Sequence, residues 1–230
     1  MNVFLHPAPR QKRYFIVMQL LSVVALLVTI LLIQAHYQSS EAGSFCNIND
    51  TWNCDRVNKS TFAEIMGVPV SIFGFLYYAF ISALYFGLNR GFDFNKKFQP
   101  LSTKWMLRGM TLISTLVLLG LLFQEMSLLR ENYWVAVIKT IFFLSLNYYI
   151  YSYCQKNPHP KIDFLGFTAM LALFGVVFSL YLTDIEIFVL QAFCIFCVSQ
   201  QIIIATIAFI NILVLRKSKN EHPPITEPAA

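Results

Sequence analysis

Charge is the scarcest commodity in this sequence. Lys, Arg, Asp and Glu together make up 13% of its 230 residues, about half the share of a soluble domain, while 57% are hydrophobic. That balance excludes a water-soluble globular fold. The apolar runs also lack the period-two alternation of barrel strands, and each extends for about 20 residues, the length a spanning helix needs. No basic, aromatic-interleaved stripe exists. The net charge of +5 is dispersed in small groups between apolar runs, which excludes a face that tracks nucleic-acid phosphates. A persuasive A-x-A cleavage site is missing after the first apolar run, and the run is too long for the h-region of a signal peptide, so it reads as a retained anchor.

What is present is a set of apolar runs separated by short polar segments. Six spans are expected, at about Tyr14–Ile33, Val68–Leu88, Trp105–Phe123, Tyr133–Tyr153, Phe164–Leu182 and Ile187–Leu215. Basic residues set their orientation. Arg10, Lys12 and Arg13 precede the first span, and Arg90, Lys96, Lys97 and Lys104 lie in the second loop. Lys156 and Lys161 lie in the fourth, and Arg216, Lys217 and Lys219 in the C-terminal tail. The alternate segments have few bases or offset them with acids. The fold expected is an all-α integral membrane protein with both termini cytoplasmic.

Cysteine is sparse too, and unevenly placed. Four of the five cysteines form two spaced pairs, Cys46 with Cys54 and Cys194 with Cys197. On the expected topology both pairs lie on the outer side, with Cys194 about seven residues, or ~10 Å, inside the sixth span. Cys154 falls at the inner end of the fourth span and reads as a buried or interfacial residue. Zinc is disfavoured because Cys-x7-Cys is wider than the usual half-site and no histidine adjoins a cysteine. Two readings of the pairs remain: static staples, which persist outside the cytosol, or redox centres. Spacing favours the second for Cys194 and Cys197. Three residues apart on a helix they share a face, with Gln191 and Gln201 extending it, and such a polar stripe must point into the bundle.

Exchange between the pairs needs a mobile segment. The polar, turn-rich stretch "SSEAGSFCNINDTWNCD" is expected to supply it. Thr61 and Glu64 have capping-box spacing, which predicts a short helix over Thr61–Met66, ended by Gly67, with Pro69 opening the second span. Asp184 and Glu186 read as a solvated turn at the outer rim, the alternative being a relay for protons of a redox partner. Phe73, Phe75, Tyr77 and Tyr78 suit either packing or the lining of an aromatic cavity.

The runs "NCDRVNKSTFAEIMGVPVSIFGFLYY" and "FSLYLTDIEIFVLQAFCIFCVSQ", with Cys46 eight positions before Cys54, resemble the vitamin K epoxide reductase family, in particular its bacterial disulfide-forming members. The resemblance implies a four-helix redox bundle around a quinone, either ubiquinone or menaquinone. Cys197 would face the quinone and Cys194 would exchange with the loop pair. Cys46 and Cys54 would exchange with a separate thioredoxin-like dithiol protein. Ser60 would order the loop or the pocket, and Gln201 and Phe73 join Cys197 as expected quinone-binding residues. Which loop cysteine attacks Cys194 stays open.

On this resemblance the domain plan is 1–100 for the first two spans with the outer redox loop at 36–67, 101–155 for an inserted transmembrane hairpin, 156–216 for the last two spans and 217–230 for a cytoplasmic tail. Gln201 and Val70 stand where animal members have tyrosine and asparagine, which weighs against epoxide reduction. The expected activity is a quinone-dependent thiol oxidase in a bacterial inner membrane, its loop cysteines facing the periplasm. The alternatives are a quinone or vitamin K epoxide reductase, and a transporter or scaffold with structural disulfides.

Overall fold

The computed structural model describes residues 9–38, 46–65, 67–90, 100–128, 133–156 and 160–221. These form helices α1 (Pro9–Tyr37), α2 (Cys54–Asn58), α3 (Val70–Asn89), α4 (Pro100–Leu128), α5 (Tyr133–Lys156), α6 (Pro160–Asp184) and α7 (Ile195–Glu221). Two short antiparallel strands, β1 (Glu64–Ile65) and β2 (Val68–Pro69), lead into α3. The chain divides into two compact units, one of Lys12–Arg90 with Phe178–Ile207, the other of Met1–Gln11, Gly91–Val177 and Ala208–Ala230.

In the first unit α1 shows the packing logic of a membrane helix. Its buried positions in this unit, Phe15, Met18, Ser22, Ala25, Thr29, Leu32 and Ala35, recur every three or four residues, and four of the seven are small or polar. Other large apolar side chains point outward, Leu20 being 61% and Leu27 58% exposed. That is the reverse of a soluble helix and suits lipid on one side and close helix contact on the other. Ser22 and Thr29 donate to the Met18 and Leu26 carbonyls of their own helix, so the polar face leaves no unpaired hydroxyl there. α3 approaches so closely at Gly74 that a Cβ would sit 3.3 Å from Thr29 Cγ2. Asn89 Nδ2 donates to Gln19 Oε1 at 2.6 Å, and Gln200 Nε2 on α7 donates to the Ala25 carbonyl at 2.8 Å.

The second unit uses the same polar adhesive. Ser114 on α4 meets Asn147 on α5 at 3.2 Å, and Thr168 on α6 meets Asn211 on α7 at 3.1 Å. The Tyr153 hydroxyl donates to the Leu215 carbonyl at 3.3 Å. Cys154 is buried on α5 in this unit, as its position at the end of a span implied.

Among the described residues four helical stretches have the length and hydropathy to cross a membrane: Gln11–Tyr37, Val70–Asn89, Phe164–Leu190 and Ile195–Lys217. The hairpin helices α4 and α5 run for 29 and 24 residues, yet α5 carries Lys139, Asn147 and a tyrosine-rich final turn that dilute its hydropathy.

Two local expectations are corrected. The sixth helix begins at Ile195 rather than Ile187, because α6 continues through a π-helical turn, Ile185–Leu190, that ends on Gln191 in the left-handed conformation (φ 50°). The helix expected over Thr61–Met66 is a single 3-10 turn, Thr61–Ala63, followed by β1. Glu64 does not cap. It reaches His36 Nε2 on α1, 3.3 Å away, and Met66 lies outside the described residues.

The outer loop is fastened to the end of α1. His36 Nδ1 donates to the Asn58 carbonyl at 2.6 Å, and the buried Asn58 Nδ2 donates to the Leu32 carbonyl at 2.7 Å. Losing a buried hydrogen bond of this kind costs about 1–2 kcal/mol. Asn58→Ala is therefore expected to speed amide hydrogen exchange across α2 by roughly 5–30-fold while leaving exchange in the middle of α3 unchanged. Gly67 holds φ +78° between β1 and β2, where a Cβ costs about 1–2 kcal/mol. Gly67→Ala should lower the thermal midpoint of the purified protein even though nothing lies within 4 Å of the added methyl.

Candidate functional site

Residues Cys46 to Ser60 fold into a compact loop, while residues 39–45, the first part of the stretch expected to be mobile, lie outside the described residues. Asn49 Oδ1 accepts from the Thr51 and Trp52 amides at 3.0 and 2.8 Å, and the Ile48 amide donates to the Trp52 carbonyl at 2.9 Å. These bonds turn the chain back on itself between the two cysteines. Asn53 caps α2 by accepting from the Arg56 amide, and Asn47 holds Asp55 through two further bonds of 2.7 and 3.2 Å. The result places Cys46 and Cys54 5.8 Å apart at Cα, joined as a disulfide.

The loop is then stitched to the segment just ahead of α7. The Phe193 amide donates to the Thr51 carbonyl at 2.7 Å, and the Asn53 amide donates to the Phe193 carbonyl at 3.0 Å. Trp52 and Phe193 thus form a parallel bridge, and their rings lie 5.5 Å apart. The Asn53–Phe193 bond has a direct consequence: Asn53 immediately precedes Cys54, and Phe193 immediately precedes Cys194. Cys46, Cys54 and Cys194 share one buried apolar cluster with Leu32, Val57 and Ala192, and Cys197 packs against it.

The helical pair is not placed as its spacing implied. Cys194 precedes α7, and its carbonyl accepts from the Val198 amide at 3.0 Å, the first bond of the helix. Cys194 is therefore the N-cap and Cys197 lies on the first turn, so the buried stripe begins at the helix entrance rather than ~10 Å inside it. Gln191 lies outside the helix and is exposed, while Gln201 is half-buried on α7. The four amides that open a helix have no intrahelical partner, and they favour a thiolate over a thiol. Cys194 lies just before the crossing segment Ile195–Lys217. Its thiol pKa is held below the ordinary value, first by the hydrogen bond with the Cys197 side chain and, against the opposing effect of burial, by the Cys197 and Phe196 backbones.

The remaining expected site residues are dispersed. Ser60 donates its hydroxyl to the Val57 carbonyl at 2.8 Å and accepts from the Ala63 amide, closing α2 and starting the 3-10 turn. Phe73, on α3, is 43% exposed, and Tyr78 on the same helix is buried. Among the described residues no group of three or more His, Cys, Asp or Glu is arranged to hold a metal.

Ser71 was not singled out by sequence, and Glu186 was read chiefly as part of a solvated turn. Ser71 is buried on the first turn of α3 and its Oγ has no hydrogen-bond partner. Glu186, expected in a solvated turn, is 2% exposed. An acidic residue interrupting an apolar run of "IEIFVL" was the available signal, but its burial depends on the π-helical turn, which nothing in the residue types announces.

Comparison with known proteins follows the same lines. No curated protein and no solved structure matches the chain. The profile of the vitamin K epoxide reductase family matches residues 16–151 and 130–212, two overlapping stretches that reach from α1 to α7 and take in both cysteine pairs. With a Cys46–Cys54 disulfide, a Cys-x-x-Cys at the start of a helix long and apolar enough to cross a membrane, and a family match over most of its length, this chain belongs to the vitamin K epoxide reductase family.

Proposed function

We propose that the protein is a quinone-dependent thiol oxidase that regenerates the disulfide of an extracytoplasmic thioredoxin-like protein. The observation that carries this reading is the shared burial of Cys46, Cys54 and Cys194, with the loop registered on Phe193 by two backbone hydrogen bonds. Thiol–disulfide exchange requires an attacking sulfur and a disulfide within reach, and here the reach is built into the fold. The partner's dithiol reduces Cys46–Cys54, and the loop dithiol reduces a Cys194–Cys197 disulfide. The Asn53–Phe193 hydrogen bond, one residue before each sulfur, favours Cys54 as the loop cysteine that attacks Cys194, leaving Cys46 for the partner.

The electron acceptor is a quinone, ubiquinone or menaquinone. Cys197 is half-buried where Cys194 is sealed, so it is the thiol open to a second reactant. The orphan hydroxyl of Ser71, buried beside an apolar helix face, suits a carbonyl oxygen on an otherwise apolar ring. Cys197, Ser71, Gln201 and Phe73 are the residues assigned to hold it, and the quinone supplies two-electron acceptance when bound. Ser60, whose hydroxyl is already engaged with Val57, serves the loop. The proposed topology has six spans, α4 and α5 forming an additional transmembrane hairpin, with both termini cytoplasmic and the loop cysteines facing the periplasm of a bacterial inner membrane. The reductase direction and a scaffold with static disulfides are the competing readings. The scaffold requires cysteines whose redox state never changes during incubation with a dithiol donor.

Two outcomes test this. With a reduced thioredoxin-like donor and a quinone, replacing Cys46, Cys54, Cys194 or Cys197 by serine should each reduce quinone consumption at least about 100-fold, an effect of the size expected when an essential nucleophile is lost; Cys154→Ser should leave it unchanged. On mild oxidation the Cys46→Ser, Cys197→Ser double variant should cross-link Cys54 to Cys194, seen as a joined peptide by mass spectrometry. The Cys54→Ser, Cys197→Ser variant should not cross-link Cys46 to Cys194 at a comparable rate.

A further inference from the structure

A carboxyl group sits at the redox site with nothing to hold it. Along α6 the buried positions Val177, Tyr181 and Ile185 recur every fourth residue, and a continuing α-helix would bury position 188 or 189 next. Phe188 and Val189 are instead exposed, and Glu186 is buried. The π-helical turn Ile185–Leu190 produces this change of phase, since five-residue spacing rotates the following side chains around the axis. The turn is secured by the Glu186 carbonyl, which accepts from the Gln191 amide and from the Ala192 amide at 3.1 Å. The same residue thus anchors the backbone that delivers Phe193 and Cys194 to the loop.

Neither Glu186 oxygen has a partner at hydrogen-bond geometry. The polar groups that bear on the carboxyl are the Cys197 thiol and the Cys194 backbone. Burying an unpartnered polar group costs roughly 1–3 kcal/mol, and more if it is charged. Leucine would fill the position without that cost. A group retained under such a penalty in a crossing segment is explained by what it does.

We infer that Glu186 is the proton donor and acceptor of Cys197 during exchange between the two cysteine pairs. This deepens the thiol-relay reading and rests on it. In the exchange the Cys54 thiolate attacks Cys194, the Cys54–Cys194 bond forms, the Cys194–Cys197 bond breaks, and Cys197 leaves with the electron pair. The Glu186 carboxylic acid gives Cys197 its proton and becomes a carboxylate. Cys46 then attacks Cys54, forming the loop disulfide, and its proton passes to the departing Cys194 thiolate. The loop dithiol has lost two electrons and the helical pair has gained them, with no further reagent. In the reverse direction the Glu186 carboxylate takes the proton back from Cys197. Cys197 lies on the first turn of a candidate crossing segment, away from bulk solvent, so an internal carboxyl stands in for the water that serves exposed thiols.

The test follows exchange itself and needs no quinone. In full-length protein in lipid nanodiscs, a pulse of dithiol donor reduces the loop pair, and acid-quenched alkylation tracks the appearance of free Cys194 and Cys197 over a range of pH. General acid–base assistance contributes about 100-fold or more. Glu186→Gln, which keeps shape and loses the proton, is expected to slow the appearance of free Cys197 by about that factor and to remove one ionisation from the pH–rate profile. Glu186→Asp, which keeps the proton, should recover much of the rate. Introducing Glu186→Gln into the Cys46→Ser, Cys197→Ser background should leave the Cys54–Cys194 cross-link intact, showing that the pairs still meet. Wild-type kinetics with an unchanged profile in Glu186→Gln would overturn the role of Glu186 alone, as would equal impairment of the Gln and Asp variants or loss of the cross-link, which point to packing. A wild-type protein whose pairs fail to exchange would overturn the relay, and this inference with it.

Discussion

Two backbone hydrogen bonds, from the Phe193 amide to Thr51 and from Asn53 to the Phe193 carbonyl, hold the outer loop in register with the mouth of α7. The rest of the site depends on them. Side-chain packing alone would let the loop slide over an apolar surface, but a ladder bond has one register, and shifting it by one residue turns every side chain to the opposite face. Trp52 against Phe193 adds an aromatic contact on one side of the bridge, with Cys194 directly after Phe193 and Cys54 directly after Asn53. Sulfur chemistry here is positioned by main-chain geometry, which no single side-chain substitution removes.

The bundle that supports this register is built from close contacts between small or polar surfaces. In water the burial of large apolar side chains would drive helices together; in lipid those side chains gain little by leaving the hydrocarbon, and packing with hydrogen bonding decides association. Thr29 against Gly74, Gln19 with Asn89, and Gln200 with Ala25 are the contacts that result in the first unit. Ser114 with Asn147 and Thr168 with Asn211 play the same part in the second. Leu20 and Leu27, which a soluble protein would hide, are left for lipid.

Much of this was legible in the residues. Low charge and long apolar runs announce the membrane, Pro69 marks the entry to α3, and the two cysteine pairs stand out against a chain that otherwise has one cysteine. The break between α6 and α7 was not legible. Between Ile187 and Val198 the sequence is apolar except for Gln191 and contains neither glycine nor proline, so nothing signals that Gln191 adopts a left-handed backbone usually reserved for glycine. Missing that break placed Cys194 inside a helix instead of at its cap, and left Glu186 in solvent. The Thr61–Glu64 spacing misled for a different reason: a capping box has only local value, and the contact between Glu64 and His36 on α1 outweighed it. Asn58 is hidden in the same way, since its importance lies in the Leu32 carbonyl, 26 residues away in sequence.

The attachment of α2 to the end of α1 has one more implication. Asn58 reaches Leu32 and His36 without involving either sulfur of the Cys46–Cys54 bond. If the covalent clasp opens and shuts, as the proposed thiol relay requires, the loop keeps its place by other means, and the amide and imidazole contacts supply them.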